Sequence, residues 1–183
     1  MRTILFSIYI LAISFFLFAQ VSSKPIPSYK NFIGKTFSDI KTIDTALTTS
    51  QFGMLESNNQ YGVSIYCDKN YADKHGVCRI FQVFFTKTVG KTEKHPIDQI
   101  LDVVTIDMKK YSKYAQVWLD QCSKSGTKYF ETVAVYYHDE DMANKGIKVK
   151  PEKAWHPNVK TGKLEEVPPT ELNCWSEPPN ESP

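Results

Sequence analysis

Hydrophobic positions change rhythm several times along this chain, and each rhythm predicts a different element. Ile4 to Ala19 is apolar apart from Ser7, Tyr9 and Ser14, behind a single Arg2. Phe37, Ile40, Ile43 and Leu47 then fall three to four apart, which is the spacing of one helical face. Thr36-Phe37-Ser38-Asp39 just before them resembles a capping box, with Asp39 where glutamate is commoner, so a helix is predicted over 37–48. From residue 61 the rhythm becomes that of strands. Tyr61 to Cys67 and Val77 to Lys87 are rich in aromatic and β-branched residues. The second run is apolar on both faces, with Val77, Phe81, Val83 and Phe85 on one and Ile80 and Phe84 on the other. That predicts a central strand covered on both sides, one of them by a helix.

Leu101 to Met108 is ambiguous between helix and strand and is read as a strand. Tyr114 to Cys122 and Lys128 to Tyr137 flank Ser123-Lys124-Ser125-Gly126-Thr127, the signature of a hairpin. Ile147 to His156 and Lys163 to Val167 form a last pair around residues 157–162. The expected fold is α+β: an antiparallel sheet of five to seven strands with one or two helices packed on it, and two disulfides.

The first apolar run changes the picture from fold to compartment. A short basic start, an apolar stretch and the small residues Ala19, Ser22 and Ser23 read as an export signal, cut after Ala19 or Ser23. The rival reading, an uncleaved anchor, needs about 20 apolar residues, and Gln20 with Ser22-Ser23-Lys24-Pro25 cuts the stretch short. No later segment is apolar for long enough to span a bilayer. The expected organisation is a signal over 1–23, an extended lead-in outside the core over 24–35, one domain over 36–176 and a disordered Pro-rich tail over 177–183. The expected location is secreted or periplasmic.

Charge excludes one large class of partner. The whole chain carries 22 Lys and Arg against 20 Asp and Glu, and signal removal takes away only Arg2. The signs alternate without forming a block, so no nucleic acid is expected as a partner. All four cysteines, Cys67, Cys78, Cys122 and Cys174, lie beyond the signal. In an exported chain an even count reads as two disulfides.

The run from LDVVTIDM through the Cys122 hairpin to KAWHPNVKTGKLEEV and Cys174, roughly residues 100–176, resembles small exported bacterial proteins with no assigned activity. The resemblance implies export and carries no function.

The densest chemistry lies outside that run, in CDKNYADKHGVC at residues 67–78. Zinc would need thiolates or imidazoles at spacings such as C-x2-C, and here His75 is the only further nitrogen ligand nearby. A redox pair would be C-x-x-C. Cys67 and Cys78 fit a staple instead, with one strand ending at Cys67 and its neighbour starting opposite at Cys78. Cys122 and Cys174 are then left to each other. The staple leaves Tyr71, Asp73, Lys74 and His75 as candidate binding residues displayed to a partner.

Other constellations are weaker. There is no G-x-S-x-G, and Cys174-Trp175 has no histidine after it. His138-Asp139-Glu140-Asp141 reads as an acidic turn. Asp102, Asp107 and Asp120 would serve a glycosidase only if two faced each other across a cleft, and strand-edge carboxylates usually face solvent. Trp118, Trp155, Tyr136 and Tyr137 read as packing residues. The expected function is therefore that of an exported, non-enzymatic binding protein, an inhibitor, immunity-type or surface-associated factor whose partner is another protein. No cofactor or metal is expected. The alternative is a small exported hydrolase whose carboxylates or histidines converge only in the fold.

Overall fold

Residues 37–48 do not form the expected helix. The computed structural model describes residues 25–55, 58–119, 122–125, 127–137 and 148–175, and among these the helical pieces are 3-10 turns of three or four residues. The window is rich in Thr and Ile, whose branched side chains disfavour a helix. Its aspartates also bind the local backbone: Asp39 accepts from the Lys41 amide at 2.9 Å and Asp44 from the Ala46 amide at 2.8 Å. Such bonds compete with helical ones. The spacing still marked a buried face, since Phe37, Ile40 and Leu47 are all buried.

The fold is nearly all β, in three antiparallel sheets rather than one sheet with helices. The first sheet runs in the order β1 (Thr36–Phe37), β5 (Pro96–Asp107), β4 (Ile80–Lys91), β3 (Asn58–Asp68) and β2 (Leu47–Leu55). The second is β12 (Lys163–Glu166), β11 (Lys153–Asn158), β9 (Val133–Tyr137) and β6 (Ala115–Leu119). The third is β10 (Lys148–Val149), β13 (Leu172–Trp175), β7 (Cys122–Lys124) and β8 (Thr127–Phe130). That makes thirteen strands among the described residues, against the five to seven expected.

β4 is covered on both faces, as its composition predicts, but among the described residues no α-helix does the covering. Val83 and Phe85 join Val63, Ile65 and Ile106 in a core against Val133, Val135, Trp155 and Leu164 of the second sheet. On the opposite face Phe84, Tyr66, Ile100 and Val103 pack under Tyr29, Phe37, Ile40 and Leu47. The lead-in thus enters the core it was expected to avoid. Tyr29 is 3% exposed, its ring lies 6.1 Å from that of Phe84, and its hydroxyl donates to Asp44 at 2.6 Å. Burial first, then that bond to Asp44, pushes the Tyr29 phenol pKa up.

The predicted hairpin at 114–137 exists but changes sheets midway. Its base pairs β6 with β9, from Ala115 opposite Tyr137 to Leu119 opposite Val133. Its outer part pairs β7 with β8 in the third sheet, with Cys122 opposite Phe130. Cys122 and Cys174 sit directly opposite each other on β7 and β13 and form a disulfide, Cα atoms 3.8 Å apart. Around them Tyr136, Ala134, Ala154, Val167 and Leu172 make a third buried cluster.

The first and second sheets also meet edge to edge, through side chains in place of a backbone ladder. On one side the Gln51 carboxamide accepts from the Leu119 amide at 2.8 Å and donates to the Val117 carbonyl at 3.5 Å. This joins edge strand β2 to edge strand β6. On the other side Asp102 accepts from the Leu164 amide at 2.9 Å and from the Val103 amide at 3.0 Å, joining β5 to edge strand β12. Eight strands thereby enclose the largest core, with two side chains as seams.

Candidate functional site

The stapled loop begins where β3 ends. Asp68 is fully buried and its Oδ1 accepts from the Asn70 amide at 3.0 Å, which turns the chain into a 3-10 turn at Lys69–Tyr71. Cys67 and Cys78 are bonded, with Cα atoms 5.7 Å apart. Their placement departs from the simple cross-strand picture: the ladder partner of Cys67 on β4 is Phe81, and Cys78 lies before β4 begins at Ile80. Both thiols are thus engaged in the bridge.

Between the cysteines Asp73 organises the turn. Its Oδ1 accepts from the amides of His75 at 2.8 Å and Val77 at 3.0 Å. Its amide donates to the Val77 carbonyl at 2.9 Å, and its carbonyl accepts from Gly76. Gly76 takes φ +79°, a left-handed conformation that suits glycine. The amides of Val77 and His75, and then the Arg79 guanidinium 3.7 Å away, hold the Asp73 carboxyl below its ordinary range. Tyr71 is half-buried and donates to the Pro25 carbonyl at 2.5 Å, tying the loop to the lead-in.

The four predicted binding residues therefore fall into two pairs. Lys74 and His75 are exposed at the tip beside Gly76 and Val77, and Val77 is 60% exposed. Tyr71 and Asp73 instead brace the loop. Asp73 is a conspicuous acidic side chain in the sequence, and only the geometry shows it turned onto its own backbone.

Two open depressions lie against the base of the loop. One, of about 770 Å³, has Ile26, Tyr71 and Ile80 among its walls. The other, of about 590 Å³, reaches Phe81, Met108 and Trp118. Asp73, Arg79 and Lys109 line both, so they form the ridge between them. Arg79 and Lys109 were not singled out from sequence. Arg79 sits one position beyond the staple, whereas Lys109 arrives from the far end of β5 and carries no local signal.

The remaining candidate carboxylates are accounted for locally. Asp102 forms a seam instead of facing solvent, and Asp107 accepts from the Lys109 amide at 3.0 Å. Asp120 and the His138–Asp141 cluster lie outside the described residues. Of the aromatics, Tyr136 and Trp155 are buried, Trp118 stacks on Tyr136 at 6.5 Å, and Tyr137 is exposed beside Tyr114. Burial raises the Tyr136 phenol pKa. No helix among the described residues is long and apolar enough to cross a membrane. Two disulfides are compatible with a secreted or periplasmic location. No family model, curated protein or solved structure matches the chain.

Proposed function

We propose that this is an exported, non-enzymatic binding protein that docks another protein through the tip of the 67–78 loop. The observation that carries this reading is the triple anchoring of that loop. The disulfide, the Asp73 brace and the Tyr71–Pro25 bond fix its backbone while Lys74, His75 and Val77 stay exposed. A surface ordered in advance loses little entropy on binding, which favours recognition. The hydrolase reading gains less support. Asp73 and Asp107 are the carboxylates of the depression beside the loop, and each binds backbone amides.

The test replaces only the displayed tip. The Lys74→Ala/His75→Ala/Val77→Ala variant should keep both disulfides and its β circular dichroism, since exposed positions usually change stability by no more than about 0.5 kcal/mol each. Wild type and variant are then compared as baits for proteins of the envelope and culture supernatant. The expected result is a partner retained by wild type and lost at least tenfold by the variant. Equal retention of every wild-type partner by the folded variant overturns the reading.

A further inference from the structure

The ridge between the two depressions has a chemistry that the loop tip does not share. Arg79 reaches it from the residue just before β4 and Lys109 from the turn after β5, and both are exposed. The acidic side chains beside them are already engaged. Asp73 gives one oxygen to two amides and faces Arg79 with the other, while Asp107 accepts from the Lys109 amide. Two basic groups thus stand together: the Asp107 carboxylate is turned to a backbone amide, and Asp73, also bound to amides, meets Arg79 only at 3.7 Å.

The walls on either side are apolar to a large extent. Ile26 is 42% exposed and Ile80 is buried on one side; Phe81 and Met108 are half-buried on the other. The volumes, about 770 and 590 Å³, fall in the range of small-molecule sites, where apolar walls bind the body and a few polar groups orient it. Guanidinium is weakly hydrated and pairs well with carboxylate or sulfate next to apolar surface.

We infer that this ridge and its flanking depressions bind a free amphiphilic anion, an apolar body carrying one carboxylate or sulfate group. The anionic group lies on Arg79 and Lys109, and the apolar body lies in one of the two depressions. This site rests on the ridge and not on the tip, so it can fail while protein docking stands, and the reverse.

The experiment is a titration of the full protein, followed by amide and side-chain NMR shifts and by calorimetry. The probes are sodium octanoate, octyl sulfate, acetate, 1-octanol and octyltrimethylammonium, each in free solution below micelle formation. Octanoate and octyl sulfate should bind at least tenfold more tightly than acetate, 1-octanol or the cation. The shifts should centre on Arg79 and on Ile26, Tyr71 and Ile80, or on Phe81 and Met108. Arg79→Glu/Lys109→Glu should weaken octanoate at least tenfold without altering 1-octanol. If that variant does not fold, Lys109→Gln, a single exposed change, should weaken octanoate severalfold. Binding of 1-octanol as tight as octanoate overturns the inference, as does octanoate affinity unchanged in a folded ridge variant. Association with phosphatidylglycerol vesicles without any octanoate shift at these residues also overturns it, because that would be diffuse attraction to a membrane surface.

Discussion

Replacing Asp102 by alanine removes one of the two seams between the sheets. The Leu164 amide loses its acceptor at 2.9 Å and the Val103 amide loses one at 3.0 Å. Leu164 is 7% exposed and the Asp102 side chain 14%, so water replaces the carboxylate poorly. A buried donor left without a partner costs about 1–3 kcal/mol. The Lys163 ammonium lies 4.0 Å from the carboxylate and is 55% exposed, so that pair adds little. The expected loss is therefore about 2–4 kcal/mol, mostly from the amides. At about 2–4 °C per kcal/mol for a domain of this size, the melting temperature should fall by roughly 5–15 °C. Asp102→Asn keeps one acceptor and should lose less, and Lys163→Ala should lie within about 0.5 kcal/mol of wild type. Urea titration gives the stabilities, and hydrogen exchange at Leu164 reads the seam itself. If Asp102→Ala stays within about 0.5 kcal/mol of wild type with the Leu164 amide still protected, packing alone holds the sheets together.

Two further outcomes follow from the staples and the loop. The disulfides span 11 and 52 positions, and in the chain-entropy model such loops stabilise by about 3 and about 4 kcal/mol. Cys122→Ser/Cys174→Ser should therefore lower the urea midpoint more than Cys67→Ser/Cys78→Ser. The opposite order would refute the entropic reading, and a peptide map linking Cys67 to Cys122 or Cys174 would refute the connectivity. The Asp73 carboxyl is depressed in the folded state, so its contribution is complete above the ordinary value of 3.8 and is lost as pH falls through the lower folded value. Asp73→Asn should thus speed exchange of the His75 and Val77 amides at neutral pH, and the difference from wild type should vanish once the pH is below both values. A difference that persists there would mean that the charge is not what holds the turn.

Strand positions were the most legible feature, and the layering was the least. Tyr61–Cys67, Val77–Lys87 and the hairpin around residues 123–127 announce themselves through local composition, and each forms pairs near its expected place. The helix at 37–48 failed because burial spacing alone does not distinguish a helix from a crossing segment. Phe37, Ile40 and Leu47 face one core from a short strand, a 3-10 turn and the start of β2. The division into three sheets was hidden because β6 to β9 read as one uninterrupted hairpin. Which arm residues change partners is decided by Cys174 and Leu172, some fifty positions downstream of Cys122 and Lys124. At the loop, composition exposed the staple and the tip, whereas the inward turn of Asp73 and the arrival of Lys109 depend on three-dimensional closure.

The central place of β13 in the third sheet sets an order of events during synthesis. That strand lies between β10 and β7, yet it is the last strand in the described chain. Until Leu172–Trp175 has emerged, β7 and β8 have no sheet to join and Cys122 has no native partner. Non-local pairing of this kind is slow, and the waiting thiol is open to exchange with the wrong cysteine. Cys67 and Cys78, only 11 positions apart and both made earlier, can close first and withdraw from that competition. The short bridge then acts as an editor of the long one, leaving Cys122 a single intramolecular partner when Cys174 arrives.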